Sequence, residues 1–113
     1  MPILYRYCLA LDLKPDKKLM EAYDAHHRAV WPEVLENIHK AGIEKLEIYR
    51  LQNRLFMILE ANESFSFEKK NAIDRASDKV QDWETLMWKY QQALPFAAPG
   101  EKWMLMQKIF ELS

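Results

Sequence analysis

The chain has 113 residues, half of them hydrophobic, with four Trp, five Tyr and five Phe. That is enough apolar volume for a single domain, 1–113, with one core and no need of disulfides or metals. Its 16 basic and 17 acidic residues are interspersed, for a net charge of −1, which excludes the one-sided basic field of a nucleic-acid binder.

The N-terminal run MPILYRYCLALDLKPDKK has a short apolar stretch but no basic leader and no small-residue cleavage site. No stretch reaches the roughly 18 apolar residues of a membrane span. Tyr5 to Leu13 alternates, with Tyr5, Tyr7, Leu9, Leu11 and Leu13 on one side and Arg6, Cys8, Ala10 and Asp12 on the other. That pattern predicts a strand. Cys8, the single cysteine, excludes an intrachain disulfide and a Cys-based zinc site, and mid-strand it reads as a packed, inert thiol. These features lead us to expect a soluble cytoplasmic protein without a membrane partner.

Pro15-Asp16 opens a long amphipathic helix carrying Leu19, Tyr23, Val30, Val34 and Ile38 at helical spacing. Pro32 lacks an amide proton, so this helix should kink or restart near Val30-Trp31. Gly42 suits the left-handed cap beyond the last turn. Two strands follow, Glu44–Leu51 and Leu55–Ala61, joined by a tight Gln52-Asn53-Arg54 turn in which Asn53 tolerates positive φ. Ser64 to Asn71 reads as a short helix or turn, and Asp74 to Leu94 as a second long helix with Val80, Trp83, Met87 and Tyr90 on its stripe. Pro95, Pro99 and Gly100 end it, and Trp103 to Leu112 reads as a last strand.

The order is βαββαβ, the ferredoxin-like α+β pattern: a four-stranded antiparallel sheet with helices on one face. The third and fourth strands are apolar on both faces, whereas a sheet wetted on one side should alternate cleanly. The uncovered face therefore needs a partner. We expect a homodimer whose sheets pack face to face into a dimeric α/β barrel.

The residues that could carry chemistry lie in YDAHHRAVWPEV, Tyr23 to Val34. Tyr23, His27 and Trp31 are four apart and share one helix face. His27 thus occupies the inward stripe where Leu would serve, while His26 is displaced by about 100° toward the flank. Asp24 should point outward, and His26 and His39 should be solvated. An inward histidine is also commonly a satisfied core residue, so the pattern leaves both readings open. No other His or carboxylate falls at a clean ligand spacing, so no metal site is expected. In the second long helix, Trp88 lies one step off the stripe and could line an edge or mouth, although a large core aromatic is the more ordinary reading.

These residues resemble the L-rhamnose mutarotase family. The likeness rests on Tyr23-Asp24-Ala25-His26-His27 followed by Val30-Trp31-Pro32-Glu33, on Gly42 and Ile48-Tyr49, on Arg54-Leu55-Phe56, and on Trp88-Lys89-Tyr90. It implies a small ferredoxin-like dimer that interconverts the α and β anomers of 6-deoxy-L-sugars without metal or cofactor. It further implies that His27 is the catalytic proton donor, that Tyr23 contacts the sugar, and that Trp88 matches the second residue of the family's tryptophan pair. Leu46 stands where a substrate-contacting tyrosine can occur, and Met87 replaces the first tryptophan of the pair. L-Rhamnose is the expected monosaccharide, with L-fucose close behind.

Histidine's ordinary pKa of roughly 6.5 suits proton transfer in both directions at neutral pH. For a second proton carrier the sequence offers Glu47 and Glu60, or water. Two other classes compete on pattern: a cofactor-free monooxygenase of the dimeric α/β-barrel type, and a sugar-binding module that would keep Tyr23 and Trp88 without needing His27.

Overall fold

Strand β1 spans Tyr5–Leu13, as its alternation predicts. A computed structural model describes residues 3–113; Met1 and Pro2, with which the N-terminal run begins, lie outside them. The first long helix is two helices, α1 (Lys17–His26) and α2 (Pro32–Lys40). Asp16 caps α1 by accepting from the Leu19 amide at 3.0 Å. Pro32 occupies the first turn of α2, where its missing N–H costs nothing. The break starts at His27, earlier than the proline alone suggests, and takes that residue to the helix terminus.

Gly42 has φ +99°, as the cap requires. Strands β2 (Ile43–Leu51) and β3 (Arg54–Ala61) form the expected hairpin. Its left-handed residue is Gln52, with φ 54°, and not Asn53. Asn53 instead secures the end of β1: its side-chain N–H donates to the Leu13 carbonyl at 3.0 Å, and its own carbonyl accepts from the Leu13 amide at 2.7 Å.

The second half departs further from the pattern. Of the short helix or turn expected over Ser64 to Asn71, the helix forms, as α3 (Phe67–Arg75), capped by Ser66 and reaching four residues further. Helix α4 runs only from Asp78 to Trp88, because Ser77 caps a new start. Residues 91–94 are not helical: Gln91–Gln92 form the short strand β4, with Gln91 opposite Leu13. Of the strand expected over Trp103–Leu112, only β5, Met104–Leu105, pairs with β1. Past the Met106 amide, which donates to the Cys8 carbonyl at 2.7 Å, no neighbouring strand among the described residues receives it.

The antiparallel sheet runs β2-β3-β1-β4, with β5 also against β1. Register sets its two faces. Leu9, Leu11 and Leu13 share the inner face with Leu55, Met57 and Leu59, and all four helices lie on that side. Tyr23, Val34, Val80, Trp83 and Met87 complete the main core from α1, α2 and α4. Leu11, Leu13, Leu55 and Val80 are fully buried, each stabilising by about 1.5–3 kcal/mol. Cys8, Ala10, Phe56 and Ile58 occupy the middle of the outer face. No helix among the described residues is long and apolar enough to cross a membrane.

Candidate active site

A cavity of about 1130 Å³ opens between the helices and the inner face of the sheet. His27, Tyr23, Gln91, Leu46 and Met87 all line it. A second cavity of about 350 Å³, beside Asn37, Lys40 and Ser77, holds no His, Tyr or carboxylate. Chemistry therefore points to the larger one.

His27 is held at the end of α1. Its Nδ1 lies 2.9 Å from the Tyr23 carbonyl oxygen. A carbonyl only accepts, so Nδ1 carries the proton and donates it, and Nε2 is the basic nitrogen. The ring is fixed on two more sides. The Tyr23 ring lies 4.5 Å away between centroids, and Trp83 meets His27 edge-on at 5.6 Å. Trp31 in turn packs edge-on against Trp83 at 5.2 Å. This arrangement gives a histidine with one tautomer, one orientation and one nitrogen free for proton transfer.

Tyr23 is 3% exposed. Burial, together with the negative charges of Glu84 and Asp24, pushes its phenol up to about 12. A hydrogen bond from the Gln91 amide to the phenol oxygen, at 3.3 Å, only partly offsets this. At neutral pH Tyr23 is thus an O–H donor and not a base. Beside it, His26 Nε2 lies 3.1 Å from the Tyr90 hydroxyl. His26 is half-buried among Tyr90 and Trp83, not solvated as its flank position suggests, because α1 packs close to the end of α4. His39 is exposed.

Three of the four carboxylates on the cavity wall, Asp24, Asp74 and Glu84, are ion-paired, and the fourth, Glu44, accepts from the Asn62 amide at 3.1 Å. Asp24 does not point outward: Arg50, on the inner face of β2, grips it through Nε at 3.0 Å and Nη2 at 2.6 Å. That guanidinium holds the Asp24 carboxyl below the usual range. Asp74 pairs with Lys70, and Glu84 with Lys102 at 3.0 Å. Glu47 and Glu60, the carboxylates offered by the sequence, face away from the cavity. Sheet parity puts them on the outer face, where Glu47 accepts from Tyr49 at 3.0 Å and Glu60 lies 3.8 Å from Arg6. No cluster of three or more metal-ligating side chains forms among the described residues.

Of the predicted site residues, Tyr23 and His27 come together and Trp88 does not join them. Trp88 is exposed and does not line the cavity; the Lys102 ammonium, which does, lies 4.8 Å from its ring centroid. Lys102 reaches inward from there to Glu84. Sequence reasoning missed Gln91 and Arg50. Gln91 had one signal: it follows Met87 by four, a polar residue continuing an apolar stripe. Arg50 had none, because its partner becomes visible only once β2 is laid beside α1.

A sequence-family model described as L-rhamnose mutarotase matches residues 6–112. The chain belongs to the L-rhamnose mutarotase family. It is an isomerase of that class. The chain is 44% identical over 112 residues to an L-fucose mutarotase of Xanthomonas campestris pv. campestris, covering 97% of this chain and 90% of that one. Its fold matches the crystal structure of an L-rhamnose mutarotase from Formosa agariphila, with TM-score 0.69, 19% identity, and 96% and 99% of the two chains covered. It also matches a dimeric ferredoxin-like protein from an uncultured marine organism, with TM-score 0.54, 14% identity, and 100% and 95% covered. The ferredoxin-like fold read from element order is thereby shown.

Proposed function

We propose that this mutarotase interconverts the α and β anomers of a 6-deoxy-L-hexose, and that L-fucose is a better substrate than L-rhamnose. The relative named for L-fucose supports that preference. So do Leu46 and Met87, which present apolar wall where tyrosine and tryptophan could stand. In this reading they cradle the C6 methyl group.

One observation carries the mechanism: the Nδ1–H bond to Tyr23 leaves Nε2 of His27 as the working nitrogen. Ring opening breaks C1–O5, forms the C1–O1 double bond and moves one proton net from O1 to O5. Rotation about C1–C2 and reclosure on the other face of the carbonyl reverse that transfer. O1 and O5 sit on one carbon, so a single imidazole can serve both in turn. His27 takes the O1 proton as a base and returns it to O5 as an acid. General acid–base assistance of roughly 10²–10⁴ suffices for a reaction already measurable in water. Tyr23 orients the sugar as a hydrogen-bond donor. Trp88 acts from outside the lining, its ring against the Lys102 that holds Glu84 on the wall.

The working unit in this proposal is a homodimer. The outer sheet face has an apolar centre, and the C-terminal arm leaves Ile109, Phe110 and Leu112 at 92%, 77% and 88% exposure. Exposed apolar surface of that kind marks an interface, and a fold neighbour is described as dimeric. The free Cys8 thiol fits a reducing, cytoplasmic setting.

The test is NMR saturation transfer between anomeric protons of L-fucose and L-rhamnose. We expect enzyme-dependent exchange on both and faster exchange on L-fucose. Exchange of neither sugar above the buffer rate sinks the proposal. A His27→Ala variant should fall by at least about 100-fold; full activity in that variant removes His27 from its role.

A further inference from the structure

Gln91 is 5% exposed and lines the same cavity as Tyr23 and His27. Its backbone is fixed from both sides: Gln91 pairs with Leu13 in the sheet, and the preceding Tyr90 carbonyl accepts from the Lys14 amide at 2.9 Å. Its side-chain N–H donates to the Tyr23 hydroxyl oxygen at 3.3 Å. Its Oε1 is buried and has no hydrogen-bond partner among the described residues. A buried acceptor left unpaired is costly, and native interiors rarely keep one without a use. Leu or Met would fill the same space, next to Met87, without that cost.

The pair has a defined polarity. Tyr23 accepts from Gln91, so its own phenolic proton is free to be donated. Gln91 presents a bare acceptor close by. A hydroxyl satisfies both at once, its oxygen accepting from Tyr23 and its hydrogen donating to Gln91. A methyl or methylene satisfies neither. The anomeric and ring oxygens belong to His27 in the mechanism above, which leaves the pair a hydroxyl elsewhere on the ring.

We infer that Gln91 is a substrate-binding residue which, with Tyr23, reads one non-anomeric ring hydroxyl of the sugar and sets the preference between sugars. The inference rests on the mutarotase reading of this site. L-Fucose and L-rhamnose differ in configuration at C2 and C4 and agree at C3. A rigid donor–acceptor pair aimed at C2 or C4 therefore accepts one sugar and mis-pairs with the other.

The experiment compares wild type with Gln91→Met, using anomeric exchange on L-fucose and L-rhamnose, binding of 1,5-anhydro-L-fucitol, and thermal unfolding. The anhydro sugar has no anomeric hydroxyl and cannot mutarotate, so its binding is measured whether or not the protein catalyses exchange. Loss of wild-type exchange on both sugars would fail the functional reading, while anhydro-sugar binding still judges Gln91. We expect Gln91→Met to lower kcat/KM on the preferred sugar by about 10–100-fold, to narrow the ratio between the two sugars, and to weaken anhydro-sugar binding at least about 10-fold. Its melting temperature should stay level or rise, because an unpaired buried acceptor is gone. Anhydro-sugar binding unchanged within two-fold overturns the inference. So does an equal loss on both sugars with a lowered melting temperature, which would make Gln91 only a brace for Tyr23.

Discussion

Removing one hydroxyl tests the depth at which Tyr23 is buried and the protonation state its role requires. In Tyr23→Phe the ring remains and the titrating group goes. Burial lifts the phenol from its ordinary 10 to about 12. A group whose folded pKa is raised holds its proton better in the native state. Its contribution is therefore intact below the unfolded value near 10 and is lost as pH rises through about 12. Two units correspond to about 3 kcal/mol in full, of which about 2 kcal/mol is lost by about pH 11.5. The assay is urea unfolding of both proteins at about pH 9 and about pH 11.5. At the lower pH the variant should be weaker by about 1 kcal/mol, because the Gln91 amide loses its acceptor. At the higher pH wild type should have dropped about 2 kcal/mol further than the variant, reversing their order. Other titrating groups are common to both chains and cancel. If the difference between them is the same at both pH values, the Tyr23 phenol is not desolvated, and the claim that burial raises its pKa fails.

Gly42→Ala should cost about 1–3 kcal/mol, read as a lower denaturant midpoint. Its φ is +99°, and an added Cβ would stand 2.6 Å from Ser64 Oγ and 2.7 Å from Asn62 Oδ1. The ratio of exchange rates on the two sugars should not change. Light scattering at micromolar concentration should give about twice the 13.5 kDa chain mass, and deleting residues 106–113 should shift it toward monomer; a full-length protein at chain mass ends the dimer proposal. Arg50 lowers the pKa of Asp24 below its ordinary 3.8, so the pair stabilises above that value and the benefit fades as pH falls through the depressed one. Asp24→Asn should flatten the acid limb of the stability profile below about pH 4. The effect should be modest, since both side chains are about a third exposed.

How far the sequence can be read depends on whether each signal is local. Strand β1 is legible residue for residue, because its alternation is written within it and Pro15 follows just beyond its end. Tyr23 and His27 are legible because four-residue spacing fixes a shared face. The second long helix overran for a physical reason: Trp83, Met87, Gln91 and Leu94 keep a helical spacing of core contacts, and no Gly or Pro intervenes before Pro95. What ends it is pairing of Gln91 with Leu13, nearly 80 positions away in the chain. Gln91 was hidden by that same overrun. The last strand shows the opposite case. Its apolar residues are real, but only Met104 and Leu105 find a strand within the chain, and the dimer proposal supplies the missing neighbour for the rest.

The break in the first helix joins fold to chemistry. In an unbroken helix the carbonyls of residues 23–26 would be taken by the amides of residues 27–30. Here the chain leaves the helix at His27, so the last-turn carbonyls become available to other donors. The His27 amide divides itself between Tyr23 at 3.3 Å and Asp24 at 3.1 Å, while Arg28 and Ala29 reach back only three residues, to Ala25 and His26. The Tyr23 carbonyl thus keeps capacity for a second donor, and the His27 ring supplies it at 2.9 Å. Pro32 enforces the separation by fixing where α2 can begin. The helix terminus and the tautomer of the proposed catalytic base are therefore one feature. A substitution that let α1 and α2 merge, Pro32→Ala being the direct one, should reduce exchange by loosening the His27 ring, while leaving the sheet and its hairpin intact. Unchanged exchange in a Pro32→Ala protein whose helix content has risen by circular dichroism would show that the break is not what sets the histidine.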